Sequence, residues 1–517
     1  MSEKRKLSDE TENDKEDAFK ASKQSKLCEA GSSTIDYDAP IKVQMSSNYL
    51  SKEFLANFSK FWNENESFSD SSVDLLASPF KLACLKDFLT DKDSLLQKLV
   101  QEMTEISFDR RQMDLYEFYQ STDLVNFESQ PAMRMFYAHL RDTVMPWMEK
   151  LTGIKLSHIS ASCSMYNAGD YLLVHDDLMT DRRVAFVYYI SPWKGAEKWT
   201  SEMGGALELF ENREKEPLFP VKKRIPPTNN QFVFFRVGSD SFHQVGEVTN
   251  FDFPRLTING WFHGPSADDE TATKIPQIDL HYTTPHEKTT DDALYELVNP
   301  IYLKTEYKED IHKQIEENSE ASLEEFLDED FYDQILTQIQ QIPADSWQLQ
   351  GPANVRNYEV LTLNEKTPSI VAKFMEIFQS KAFFKLLHEY TELDLHGANV
   401  AEPKCSVELQ RWTRGCYTVL GDPSQYADCT LDLIFYINAY PQVGVVTYLS
   451  PEEDSLDDEA GEEEEEIDPI LLTIHPKDNA LNLVYRNEGI TKFTKYVSKN
   501  CLKEGKYSYI LVCRYKE

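Results

Sequence analysis

A helix-patterned stretch followed by a train of short, β-rich runs limits what this chain can become, because the same order occurs twice, over 48–263 and over 308–517. In the first half, apolar residues recur at helical spacing in Leu50-Phe54-Phe58-Phe61, in Phe80-Leu85-Phe88-Leu89 and from Met133 to Leu151, just ahead of Gly153. From about 156 the runs shorten to SASCSMYNA, DYLLVHDD, RVAFVYYIS, ALELFE, QFVFFRV and RLTINGWFH, with turn-forming residues between them. Such spacing predicts an antiparallel β sandwich or small barrel. Helical patterns return at 308–342 and 369–389, and strand-like runs fill the chain from 406 onward.

The two trains also match in order. Tyr166–Tyr171 resembles Trp412–Tyr417, AFVYYI (185–190) resembles LDLIFYI (431–437), FVFFR (232–236) resembles LNLVYR (481–486), and RLTINGWFH (255–263) resembles KYSYILVCR (506–514). Four matches in one order predict two copies of one β fold. A length of 517 residues agrees, being too much for one ordinary core. The expected layout is a disordered charged tail over 1–45, a first domain over 46–265, a polar linker over 266–300, and a second domain over 301–517 with an acidic insertion at 451–468.

Charge narrows the function. Lys and Arg number 53 against 88 Asp and Glu, a net charge of −35. Such a surface repels phosphate, so direct nucleic-acid binding is not expected, while a basic protein partner is tolerated. No run approaches the 18 or so apolar residues of a membrane span, and the N-terminus lacks an apolar signal core. The 8 cysteines are scattered without a CxxC pair, which reads as reduced thiols. Residence in the cytosol or nucleus is expected.

The chemistry is carried by His175-Asp176-Asp177. On a strand, His175 and Asp177 share a face, giving two thirds of the imidazole–carboxylate triad that suits non-haem Fe(II). His243, between two later strand runs, can supply the third ligand. Arg255, opening RLTINGWFH, can pair bidentately with the far carboxylate of 2-oxoglutarate. An HxD, a distal His and an Arg at these distances form a specific pattern. His263, followed by Gly-Pro, reads as an edge residue, and His139 and His158 read as ordinary histidines. Gly204-Gly205 reads as a turn explained by backbone geometry alone. Two other function classes stay open: an interaction protein acting through the second sheet, and a cupin-like metal hydrolase or isomerase with the same ligands.

The stretch SMYNAGDYLLVHDD…RRVAFVYYISPW…GGALELF…FVFFRV…SFHQV…RLTINGWFHGP, with DLYEFYQSTDL (114–124) ahead of it, resembles the Fe(II)/2-oxoglutarate-dependent ribosomal prolyl 3-hydroxylases. The likeness covers about 80–517. It implies an α+β fold of two tandem double-stranded β-helix domains of the jelly-roll or cupin-like kind, each with flanking helices, the first catalytic and the second inactive. It implies His175, Asp177 and His243 as catalytic iron ligands, Arg255 as the residue binding the distal carboxylate of 2-oxoglutarate, and Tyr166 and Tyr189 as tyrosines lining the co-substrate pocket. It further implies O2 as co-substrate, L-ascorbate as reductant, and a proline of a small-subunit ribosomal protein as target, with dihydroxylation in fungal members. Residence in nucleus and cytoplasm, links to translation and oxygen response, and a regulatory protein or transcription factor bound through the second domain complete the picture. Projecting the repeat puts Gly421 and Pro423 at the His175 and Asp177 positions, Phe493 or Thr494 at that of His243, and Lys506 at that of Arg255. A second domain without iron is expected.

Overall fold

The structure is a computed structural model, described for residues 42–90, 92–179, 181–192, 198–265, 278, 280–395, 402–421, 423–451 and 469–517. Residues 1–41 of the tail expected over 1–45, and the acidic run 452–468, lie outside the described residues; Met45, counted in that tail, pairs with Leu89 and is buried in the first core. The chain divides into two compact units at Thr273/Lys274.

Each unit is a double-stranded β-helix with helices on one face. The first contains β1 (Leu82–Leu85), β2 (Tyr116–Asp123), β3 (His158–Tyr166), β4 (Tyr171–His175), β5 (Arg182–Tyr189), β6 (Leu207–Arg213), β7 (Glu216–Ile225), β8 (Phe232–Arg236), β9 (His243–Val245) and β10 (Arg255–His263). The second contains β11 (Glu320–Leu323), β12 (Arg356–Leu361), β13 (Lys404–Trp412), β14 (Tyr417–Thr418), β15 (Thr430–Ile437), β16 (Val446–Leu449), β17 (Ile470–Ile474), β18 (Leu481–Arg486), β19 (Thr491–Thr494) and β20 (Ser508–Lys516). Strands pair in the order β1-β8-β5-β10-β3-β2-β4-β9-β6-β7 in the first unit. The second runs β11-β18-β15-β20-β13-β12-β14-β19-β16-β17, the same order throughout. The repeat read in the sequence is thus one topology built twice, with all these pairings antiparallel.

Alternation along the strands separates two cores. On β8, Phe232 and Phe234 face the helices, and Phe234 packs 6.0 Å from Phe58 and 5.8 Å from Trp62. Val233 and Phe235 face the opposite way, with Tyr189 and Leu209. Phe58 and Trp62 belong to the helix Lys52–Glu64, started by the Ser51 side chain accepting from Phe54 N–H and ended at Asn65 in the left-handed region. Met133–Leu151 is helical and ends at Gly153 with φ 75°.

Two sequence expectations fail. Phe80–Leu89 is not helical: its centre is β1, whose four residues are all buried. A strand covered on both faces is a continuous apolar run, which periodicity cannot distinguish from a short helix. The linker expected over 266–300 ends early. Thr283 exchanges both backbone hydrogen bonds with Cys405, Asp291–Tyr295 is a helix, and Leu294 and Val298 are buried in the second core.

The ladders also correct the projection onto the second unit. Thr494 stands opposite Thr418 as Val245 stands opposite Leu172, so two residues back Lys492 occupies the position of His243. Ser508 stands opposite Trp412 as Arg255 stands opposite Tyr166, so Ser508, not Lys506, replaces the arginine. The Lys492 ammonium is paired with Asp432, a carboxylate with no exposed surface, which also accepts from the Tyr448 and Thr430 hydroxyls. Nearby charges hold Asp432 below the ordinary carboxylate range although burial opposes it, and burial lowers Lys492 to about 8. Among the described residues, both clusters of three potential metal ligands lie in the first unit.

Removing one partner of a buried ion pair strands the other charge, typically costing about 3–5 kcal/mol. Lys492→Met should therefore destabilise the second unit, lowering its calorimetric transition, by at most about that amount, because Arg514 and Arg486 still face Asp432. Equal transitions for Lys492→Met and the unaltered chain would contradict the pairing.

Candidate active site

β4 ends at His175 and β9 begins at His243, and the ladder sets these residues opposite each other. Asp177 departs from the expected strand alternation. It lies past the end of β4, with φ 62°, so a left-handed turn rather than the pleat returns its carboxylate to the imidazoles. His175 Nε2 is 3.4 Å from Asp177 Oδ1, His243 Nε2 is 3.5 Å from Asp177 Oδ2, and the two rings are 4.2 Å apart at 53°. With metal bonds of roughly 2.0–2.2 Å, neighbouring ligand atoms sit about 3–3.5 Å apart, so one ion fits between these groups.

Hydrogen bonds prepare the rings for that role. His175 Nδ1 donates to Leu173 O and His243 Nδ1 to Ser241 O, each at 2.8 Å. Each bond leaves Nε2 as the lone pair of the neutral ring. The Ser241 hydroxyl lies 2.7 Å from the carbonyl oxygens of Asp176 and of Gly238, tying together the loops that carry Asp177 and His243. Burial, reinforced by His175, lowers His243 to about 4, so it is neutral at pH 7. For His175 burial also acts downward, but the hydrogen bond and charge of Asp177 prevail and raise it. Asp177 is held well below the usual carboxylate range, because His175, His243 and Arg182 outweigh its burial. Arg182 Nη1 is 3.7 Å from Asp177 Oδ1, and its guanidinium lies 3.5 Å from the centre of the Trp261 ring.

Arg255 is only 2% exposed. Its Nε donates to Gly205 O at 2.8 Å, and its guanidinium lies 4.9 Å from the Tyr166 ring and 5.2 Å from that of Tyr189. Among the described residues it forms no ion pair with a carboxylate. The Tyr189 hydroxyl, Ser164 Oγ and Trp261 Nε1 are buried without hydrogen-bond partners. Groups left this way are costly unless a ligand completes them. A cavity of about 300 Å³ joins the two halves, lined by His175, Asp177, His243, Tyr166, Trp261 and Arg255. The donor set of the triad fits Fe(II), and a buried guanidinium without a counter-charge fits the carboxylate of a small co-substrate.

Five of the six residues singled out in the sequence line this cavity, and the sixth, Tyr189, is buried with its ring 5.2 Å from the Arg255 guanidinium. Three supporting residues were not singled out: Ser241, Arg182 and Gly205. By sequence Gly205 reads as a turn only, yet it has φ 66° and a Cβ there would come within 3.0 Å of both Arg255 Cδ and Val248 Cγ2. Its bare α-carbon makes room for the arginine that its carbonyl holds. The Gly-Gly dipeptide was the available signal; the serine and arginine had none.

A divalent ion must displace any proton from the triad. Its affinity for the metal-free chain should rise with pH through the raised pKa of His175, while His243, already neutral, contributes no proton above pH 6. Calorimetry in buffers of different ionisation enthalpy should show up to one proton released near pH 6.5, falling towards zero in alkali. A proton count independent of pH would contradict the electrostatics described.

Residues 161–263 match the family described as the 2OG-Fe(II) oxygenase superfamily, and residues 289–516 match the one described as oxoglutarate and iron-dependent oxygenase degradation C-term. The chain is 45% identical over 495 residues to the prolyl 3-hydroxylase sudestada1 of Drosophila melanogaster, covering 92% of this chain and 91% of that one. It is 29% identical over 513 residues to the prolyl 3-hydroxylase OGFOD1 of Mus musculus, covering 86% and 89%. Its identity to the prolyl 3,4-dihydroxylase OGFOD1 of Ostreococcus tauri is 25% over 516 residues, covering 86% and 96%. Together with an imidazole–carboxylate triad and a buried arginine on a double-stranded β-helix, this identity along nearly the whole length means that the chain belongs to the prolyl 3-hydroxylase family of 2-oxoglutarate- and iron-dependent dioxygenases.

Proposed function

We propose that this dioxygenase hydroxylates a proline of a small-subunit ribosomal protein at C3, with L-ascorbate keeping the metal reduced. The observation that carries the site assignment is the single cavity onto which the His175–Asp177–His243 cluster and Arg255 both open. Iron and 2-oxoglutarate, when bound, supply the oxidising chemistry, in which O2 converts 2-oxoglutarate to succinate and CO2 and places one oxygen atom on the prolyl ring. His175, Asp177 and His243 hold the ion. Arg255 pairs with the far carboxylate of 2-oxoglutarate, and the Tyr189 hydroxyl, buried and unpartnered, gains a bond to the same group. The Tyr166 ring, stacked on Phe118 at 4.7 Å, keeps the arginine side of the cavity dry.

A net charge of −35 supports a basic target protein. Further oxidation to the 3,4-diol is supported by likeness to the Ostreococcus tauri enzyme of that name. The second unit, with Lys492 and Ser508 at the positions of His243 and Arg255, holds the partner rather than the iron. The proposed partners, a ribosomal protein and a transcriptional regulator, go with residence in both nucleus and cytoplasm.

His175→Ala or His243→Ala should abolish succinate formation while leaving the circular dichroism spectrum unchanged. Arg255→Ala should raise the KM for 2-oxoglutarate and spare metal binding. Loss of a buried charge-assisted pair costs roughly 2–5 kcal/mol, at least about thirtyfold in KM. Normal turnover in either histidine variant, or equal loss of metal and co-substrate in the arginine variant, would overturn these roles. Mass spectrometry of ribosomal proteins from cells lacking the enzyme tests the target: an unchanged set of proline masses would remove it.

A further inference from the structure

A second cluster of two imidazoles and a carboxylate lies outside the site just described. His158 opens β3 and His263 closes β10, at the opposite end of the same ladder from Tyr166 and Arg255, and the register pairs the two histidines directly. By sequence His263 reads as an edge residue and His158 as an ordinary one; the cross-strand pairing makes them neighbours, with rings stacked 4.4 Å apart at 10°. Asp181, one residue ahead of β5, completes the group. Its Oδ2 is 3.1 Å from His263 Nδ1 and 3.8 Å from His158 Nε2.

Three observations point to a ligand. His263 Nδ1 is buried and faces Asp181 Oδ2 at 3.1 Å, an imidazole–carboxylate pair that an ion can join. Each ring is oriented through its other nitrogen by a serine: Ser160 Oγ is 2.7 Å from His263 Nε2, and Ser157 Oγ is 3.0 Å from His158 Nδ1. The Ser157 hydroxyl donates to His263 O at 3.3 Å, so its oxygen is free to accept from His158 Nδ1–H, leaving Nε2 as the lone pair. Outer partners that fix imidazole tautomers in this way are a mark of metal-binding histidines. The backbones are also set, since Gly264 N–H donates to Asp181 O at 2.8 Å and Ser157 N–H to His263 O at 2.7 Å.

We propose that His158, Asp181 and His263 form a second divalent-metal site, taking a borderline transition ion such as Zn(II), with water completing its coordination. His263 and Asp181 are already within the separation that one ion needs. His158 is not, because a lone pair lies in the ring plane and stacked rings cannot share an ion. The His158 side chain, 60% exposed, turns out of the stack to close the site. The bound ion clips the segment carrying Asp181 and Arg182 to the end of the β3–β10 ladder, four residues beyond Asp177. The proposal is independent of the roles assigned to the iron-site residues.

The test uses the full chain with His175→Ala and His243→Ala, which disables the first cluster, titrated with Zn(II) and with Co(II). One ion per chain is expected, with visible d–d absorption for Co(II). Adding His158→Ala or Asp181→Asn, both at exposed side chains, should weaken binding by at least roughly tenfold, the smallest loss seen when even an outer partner of a ligand is removed. In the unaltered chain, Zn(II) stoichiometry should fall from two to one on Asp181→Asn, a comparison that holds should the double variant fold poorly. One ion per unaltered chain, or binding unmoved by His158→Ala, would overturn the site.

Discussion

The site depends on one cross-strand register. β9 is three residues long, and its pairing with β4 sets His243 opposite His175. A one-residue slip would turn His243 to the other face of the sheet, because side chains alternate with a period of two. Ser241 guards that register from just outside the strand: its carbonyl holds the His243 ring, while its hydroxyl reaches the loop bearing Asp177. The ligand atoms thus converge through hydrogen bonds to the backbone as well as through the contact of Asp177 with His175. That is why a cluster of two imidazoles and a buried carboxylate can persist in the fold before any ion arrives.

The co-substrate end obeys a different constraint. Arg255 has almost no exposed surface, and its Nε is the part of the guanidinium satisfied by the protein. Keeping a cation there is costly, and the cost is tolerated because aromatic faces on both sides and the Gly205 carbonyl offset part of the lost hydration. Among the described residues no carboxylate pairs with the guanidinium, which fits it to receive an anion. Function has been given priority over stability at this position, as is common where a fold departs from its own packing rules.

The second unit shows what the same scaffold does when that priority is removed. Strand order is retained, but a buried ion pair stands where the first unit has a metal ligand. Lys492 stands where His243 would be, and Asp432 occupies the position of Ala185 on β15, so ammonium and carboxylate neutralise each other without a metal. Such a buried cluster, in which Arg514 and Arg486 also face Asp432, rarely stabilises more than apolar side chains would.

Most of the fold and of the first site was legible in the sequence because it is written locally. Alternating runs, turn residues and the order of the two trains announced the strands and their duplication, and the spacing of His175, Asp177, His243 and Arg255 announced the chemistry. What was not legible is everything decided by which strand lies beside which. Leu82–Leu85 is a strand because it pairs with β8 and is covered on both faces, Ala83 and Leu85 lying in the helix-side core and Leu82 and Cys84 in the opposite one, a fact absent from its own four residues. Lys492 rather than Phe493 or Thr494 answers to His243 because loops of unequal length separate the strands of the two units, and only the hydrogen-bonded ladders count through them. His158 and His263 meet for the same reason, far apart in the chain and opposite in the sheet. Residue type and spacing determine which elements form and what chemistry they can carry; register, set by non-local backbone pairing, decides which side chains face one another.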